Sequence, residues 1–333
     1  AVAPVYVDSE FGFVNGLGKN TDFAIGMAGG GFSDGYNEIR NGFYYPTESF
    51  DGDGGEISAS LYHLFNPNEL IPLNFVLRGT AHYSFFSRTE DTADAFRLPN
   101  DHGDFSVRTG LRWGGVEPIL LPPLAMEVSV WYEGHLRSNP GVYGYDDRDL
   151  KSQSHLFWCE AALAYTLTNS QQSFYLRFTA GTSVDADRFS AYRLGGFLPL
   201  IAEYPLSIPG YYYQEISARQ FVLFNANYLV PLDDEKRWSL DVNAATAFVD
   251  YLPGVQQPGN WLSGVGGGIL YRSPSNRWKI MFDCGYGVDA IRSWGRGAYS
   301  AGFLIQFDLG AKRGENFNPA RPSLWRGWQR IFD

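Results

Sequence analysis

The chain has 333 residues, with 36 acidic against 26 basic side chains and a formal net charge of −10, a balance that excludes a nucleic-acid partner and a general basic surface. Aromatic residues make up 17% and glycine fills 38 positions, which suits crowded, twisted strands and aromatic girdles better than a helical enzyme. No apolar run approaches the ~18 residues of a membrane-crossing helix, and two cysteines are too few for a disulfide framework.

The opening Ala1-Val2-Ala3-Pro4 has neither a charged nor an apolar leader and reads as a mature exported chain. Residues 1–20 read as a periplasmic lead or plug segment, since an extra strand within 4–14 would spoil an even strand count. From 21 to 310 the pattern predicts an all-β, antiparallel transmembrane β-barrel of the outer-membrane type, with about twelve strands. Their positions are near 21–33, 54–66, 71–88, 102–116, 124–137, 153–168, 172–186, 217–231, 238–250, 260–273, 277–289 and 298–310. The third shows the reason. Leu73, Phe75, Leu77, Gly79, Ala81, Tyr83 and Phe85 share one face, while Asn74, Arg78, Thr80, His82 and Ser84 share the other. A period of two means one apolar and one wet face. The sixth sets Phe157, Cys159, Ala161, Leu163 and Tyr165 against Ser154, Glu160 and Thr166 in the same way.

Tight turns (66–69, 121–123, 168–170, 233–236, 273–276) alternate with long polar loops (34–53, 89–101, 139–151, 187–216, 251–259). In outer-membrane barrels the tight turns are periplasmic and the long loops extracellular. The loop at 187–216 is the longest, and its apolar centre Phe197-Leu198-Pro199-Leu200-Ile201 is costly in water, so it is expected to fold inward or to meet a partner. Residues 311–333 form a periplasmic or interfacial tail. Its interleaved Trp325, Arg326, Trp328 and Arg330 suit the headgroup level or a docking partner, with a frayed end as the plain alternative.

Catalytic, cofactor and metal motifs are not found. Gly264-Val265-Gly266-Gly267-Gly268 lies in a strand pattern and opens no helix, so it reads as close packing or a bend rather than a phosphate cradle. His82 and His135 point to the lumen, where they can join a polar network with Glu127 and Glu133. Cys159 and Cys284 point outward on distant strands as unpaired small hydrophobes.

Four stretches of the second half form a series. Tyr192-Arg193-Leu194-Gly195-Gly196-Phe197 carries a Leu-Gly-Gly element, and Asn225-Ala226-Asn227-Tyr228-Leu229-Val230-Pro231-Leu232 fits Asn-x-x-Tyr-x-x-Pro-Leu. Ala247-Phe248-Val249-Asp250 fits Phe-x-Asp, and Gly264 to Pro274 is a glycine-rich strand ending in Ser-Pro. Over about 187–310 this resembles the C-terminal barrel of the bacterial surface-antigen superfamily, which includes the outer-membrane assembly insertase, two-partner secretion transporters and patatin-linked barrels. The resemblance implies an inward-folded loop whose arginine pairs with the Phe-x-Asp carboxylate. The aligned tip here, Leu200-Ile201-Ala202-Glu203-Tyr204, has no arginine, so Arg193 becomes the candidate partner of Asp250, in a loop–barrel contact that also holds Gly195 and Gly196. The alternative is a solvent-exposed loop arginine. Insertases and secretion transporters of that family carry periplasmic substrate-binding domains before the barrel, but strands beginning near residue 21 are expected to leave no room for one, so the resemblance speaks for fold more than for activity.

The expected role is therefore that of a non-enzymatic barrel in the bacterial outer membrane, an anchor, scaffold or gated conduit in an envelope complex. Its surroundings are outer-membrane lipid, including lipopolysaccharide, and a periplasmic or membrane protein is the candidate partner. A small-solute channel is the alternative; a lipid-modifying enzyme would need inward Ser, His and acid side chains to converge.

Overall fold

The computed structural model describes residues 6–30, 34–69, 71–114, 124–196, 206–235, 237–274 and 278–307. Its wall is one antiparallel sheet in strict chain order: β1 (Tyr6–Phe13), β2 (Thr21–Gly30), β3 (Phe50–Leu64), β4 (Leu73–Arg88), β5 (His102–Gly114), β6 (Leu124–Arg137), β7 (Gln153–Thr166), β8 (Ser173–Val184), β9 (Ile216–Pro231), β10 (Trp238–Tyr251), β11 (Trp261–Arg272), β12 (Trp278–Arg292) and β13 (Gly295–Phe307). All twelve expected strands are present. The thirteenth is a correction: Tyr6–Phe13 pairs along its length with β2, Tyr6 opposite Gly30 and Phe13 opposite Phe23, so this part of residues 1–20 is wall rather than a lead or plug. A strand paired along its length satisfies on that edge backbone groups that a loose lead would leave to water.

The long connections, 31–49, 89–101, 138–152, 185–215 and 252–260, gather at one end, which we term the outer end. The last connection there is a departure, the two-residue turn Ser293-Trp294. At the outer end the sheet curls until the loop after β2 meets β12 and the loop after β10. The Asn41 N–H donates to the Gln256 carbonyl at 3.0 Å, and a Cβ on Gly42, in the loop after β2, would lie 2.2 Å from the Ile291 carbonyl oxygen of β12.

Burial follows the expected period. Along β7, Phe157, Ala161, Leu163 and Tyr165 are exposed, whereas Ser154, Leu156, Trp158, Glu160, Ala162, Ala164 and Thr166 are buried. The exposed rows are what hydrocarbon requires of a barrel exterior. Trp238, Tyr271 and Trp278 line up near the inner rim, with ring centroids 4.6 and 5.1 Å apart, as a girdle at the membrane–water boundary does. Cys284 lies on this outward face and Cys159 beside Ala161 on it; neither forms a disulfide. Val130 sits outward at the middle of β6, 52% exposed. Val130→Arg is expected to cost about 2–4 kcal/mol, the range for arginine at a bilayer midplane. Urea-unfolding midpoints in lipid vesicles measure it, and Val142→Arg, in an outer loop, serves as the neutral comparison.

Candidate functional site

Between β8 and β9 two described limbs, 185–196 and 206–215, lie inside the barrel. The descending limb is fixed first by Asp187. One carboxylate oxygen accepts the N–H groups of Phe189 and Ser190 and the Ser190 hydroxyl, each at 3.0 Å. The other accepts Arg137 at 2.5 Å and the Lys151 N–H at 2.8 Å. Next, Tyr192–Leu194 adds as a short antiparallel strand to the start of β9, with Leu194 opposite Ile216. Gly195 and Gly196 then let the two limbs press together. A Cβ on either would lie 2.2 Å from a carbonyl oxygen, that of Tyr212 or of Tyr211. In that space the Gly196 N–H donates to the Tyr212 carbonyl at 2.8 Å.

The returning limb lies on the inner face of β11 and β12, where the glycines form its seat. A Cβ on Gly264 would meet the Pro209 carbonyl oxygen at 2.1 Å, and one on Gly285 the Gly210 nitrogen at 2.6 Å. Asn225 donates to the Ser207 carbonyl at 2.9 Å, and the Gly210 N–H donates to the Ser300 hydroxyl at 3.0 Å. The glycine-rich strand is thus a close-packing surface, with loop backbone filling the place of side chains. Around it Leu194, Ile208, Tyr211, Ile216, Leu223, Val249, Leu262, Ala290 and Ala298 form one buried apolar cluster inside the barrel. The limb ends at Glu215, whose carboxylate takes both guanidinium nitrogens of Arg292 at 2.8 and 2.7 Å and the Tyr212 N–H at 2.8 Å. Arg292 also lies over the Tyr212 ring, 3.9 Å from its centroid.

The expected pairing of Arg193 with Asp250 does not form. Asp250 lies between inward Val249 and Tyr251 in a strict alternation, so it faces out with Phe248, where it binds Arg219 at 2.6 Å. Arg193 is inside. It donates to the Gln214 carbonyl through two nitrogens at 3.1 and 2.7 Å and lies 4.8 Å from the Tyr36 ring centroid. Beside Asp187–Arg137, a second ion pair joins the inward loop to the wall, Glu215–Arg292, which sequence alone did not show. Its only signal was a charged residue at each of two strand ends. The apolar centre at 197–201 and the tail residues Trp325, Arg326, Trp328 and Arg330 lie outside the described residues.

The inner face of β3–β6 is different in kind. There, Glu56, Arg78, His82, Asp104, Arg108, Glu133, His135 and Arg137 surround a cavity of about 420 Å³ roofed by Asp34, Tyr36, Arg188, Phe189 and Arg193. Arg108 binds Glu133 at 2.8 Å, and Arg137 binds Asp104 at 3.0 Å. His82 lies between Asp34, at 2.7 Å, and Glu56, at 3.5 Å; His135 lies between Asp104, at 3.2 Å, and Glu133, at 3.5 Å. Glu133 belongs to this network, whereas Glu127 binds Arg112 at 2.7 Å nearer the inner end. In the roof, burial pushes the Tyr36 phenol above its ordinary pKa against the pull of Arg193, so it stays a donor, to Glu38. No group of three or more His, Cys, Asp or Glu side chains able to hold a metal ion is present among the described residues.

Several solved structures share this arrangement of strands. CdiB from Acinetobacter baumannii superposes with a TM-score of 0.58 at 11% identity, over 86% of this chain and 47% of its own. BamA from Haemophilus ducreyi, lacking POTRA domains 1–3, gives 0.58 at 10%, over 91% and 62%. CdiB from Escherichia coli gives 0.56 at 12%, over 90% and 58%. The fold is that of these CdiB and BamA barrels. The chain spans about half to three-fifths of the length of these structures, so the likeness carries the architecture alone. No protein-family model and no curated protein matches the chain.

Proposed function

We propose that this chain is a bacterial outer-membrane barrel acting as a gated conduit, anchored among lipid and lipopolysaccharide and serving an envelope protein partner, with loop 185–215 as its plug. The observation that supports this reading is the seat itself: wall positions 264 and 285 have no side chains where loop backbone lies against them, and 287 has none where the Tyr211 ring lies. A loop that only covered the mouth would need no such track. A non-enzymatic role is part of the proposal. Each ring nitrogen of His82 and His135 faces a carboxylate, which leaves none directed at a serine hydroxyl.

The test is conductance in planar bilayers with Cys159 and Cys284 replaced by alanine. Ser207→Cys with Asn225→Cys places a disulfide between loop and wall, at a point where the parent side chain already bonds the loop backbone. The oxidised protein is expected to be silent, and reduction to allow brief openings. Replacing 195–214 by a short Gly-Ser linker is expected to give steady conductance. Steady current through the oxidised form would overturn the plug and favour a small-solute channel along the polar half of the lumen, the reading that the charged cavity supports.

A further inference from the structure

We infer that Glu38 is the keystone of a lid over the lumenal cavity, holding three outer loops together as one movable cap. The inference rests on the conduit reading only for its physiological meaning; the lid itself stands on geometry.

Glu38 belongs to the loop after β2 and is completely buried. Its carboxylate collects three guanidinium groups from three loops: Arg40 of its own loop at 3.4 Å, Arg148 of 138–152 at 3.5 Å, and Arg188 of the inward loop at 3.3 and 3.4 Å. Glu48 shares two of them, accepting Arg40 at 2.5 Å and Arg148. Asp147, half exposed, adds a third carboxylate beside Arg148 at 3.7 Å. Without Glu38, Arg40 and Arg148 keep Glu48 and Asp147, whereas the Arg188 cation loses the carboxylate it binds, so at the inward loop Glu38 has no stand-in. Burial works against the Arg188 cation, and Glu38 together with Tyr36 and Tyr143 outweighs it, leaving the guanidinium pKa raised.

One of the three arginines that Glu38 gathers roofs the cavity. Arg188 lines it directly, and Phe189 follows. Tyr36, two residues before Glu38, lines it too and carries Arg193 on its ring. A second small core backs the cap: Phe189 packs with Tyr36, Phe50, Phe86 and Tyr143 at centroid distances of 5.5 to 6.1 Å. Such a cap moves as a body or not at all, and the charge hub is the part of it that is most sensitive to substitution.

Chemical access to the cavity tests this in lipid nanodiscs. Ser106→Cys, on the cavity wall, is introduced into the protein lacking Cys159 and Cys284, and its reaction with a charged methanethiosulfonate is timed. Glu38→Gln is expected to speed the reaction about tenfold or more, the scale of losing a charge-assisted hydrogen bond. Asp250→Asn, which breaks the outward ion pair with Arg219, is expected to leave the rate unchanged. Should Glu38→Gln fail to give the folded form on an unheated gel, Arg188→Gln removes the inward loop's own end of the contact and carries the same expectation. Equal rates in the parent and in the folded variant overturn the lid. A faster rate in a barrel that stays silent after loop replacement keeps the lid and removes the conduit.

Discussion

Gly210→Ala is expected to drive the inward loop off the wall while leaving the strands paired. Two costs add at this position. Its φ is +84°, a conformation that charges any residue with a Cβ about 1–2 kcal/mol. That Cβ would also lie 1.8 Å from the Gly287 nitrogen and 2.7 Å from its Cα, and both are wall backbone that cannot swing aside as a side chain would. Overpacking of this sort costs typically 1–3 kcal/mol more. A total near 3–4 kcal/mol corresponds to a several-hundredfold shift toward the unseated loop. Limited proteolysis should then cut within 185–215 in folded barrels, and bilayer openings should lengthen. Gly259→Ala is the control, since it has a similar φ of +81° but nothing within 4 Å of its Cβ. A Gly210→Ala barrel whose loop resists protease as the parent's does would show that the seat is not what holds the plug.

The second large effect is expected at Glu215. Both members of the Glu215–Arg292 pair are buried, with side-chain exposures of 0% and 2%. Glu215→Gln leaves the Arg292 cation without its counter-charge in a closed site, and breaking a buried pair from one side costs about 3–5 kcal/mol. The same substitution weakens the acceptor for the Tyr212 N–H, so the returning limb loses its turn as well as its anchor. A fall in the urea midpoint of the outer end is expected, read by fluorescence of a probe on the loop. The paired change Glu215→Gln with Arg292→Met should recover much of the loss, because an uncharged pair of similar volume leaves no stranded charge. Equal loss in the single and double variants would mean that the ion pair is not what fixes the limb.

The wall was legible because its physics is local. Each strand repeats the choice between lipid and lumen every second residue, as in Phe157, Ala161 and Leu163 against Trp158, Glu160 and Ala162. Turn chemistry then sets the strand ends. The loop contacts were less legible, because they join residues far apart in the chain and follow no period. Asp250 shows the failure in detail: motif likeness placed its carboxylate inside, whereas the alternation that predicted the strand places it outside. Applied to that single residue, the wall's own rule would have ruled out the Arg193 pairing. The apolar half of the lumen was hidden for another reason. Inward Ala245, Ala247, Val249 and Leu262 look like a wasted polar face until a folded-in loop is there to cover them. Small inward residues beside glycines were the available signal.

Strand number has its own consequence. Twelve alternating staves can meet head to tail all the way round, but thirteen cannot: the first and the last point the same way. Any joint between Tyr6–Phe13 and Gly295–Phe307 must be a parallel one in a hoop otherwise made of antiparallel joints, and parallel pairing is slightly less stable per residue. Among the described strands, such a joint would be the weakest stave line of the wall, and it would lie next to the strands that seat the plug.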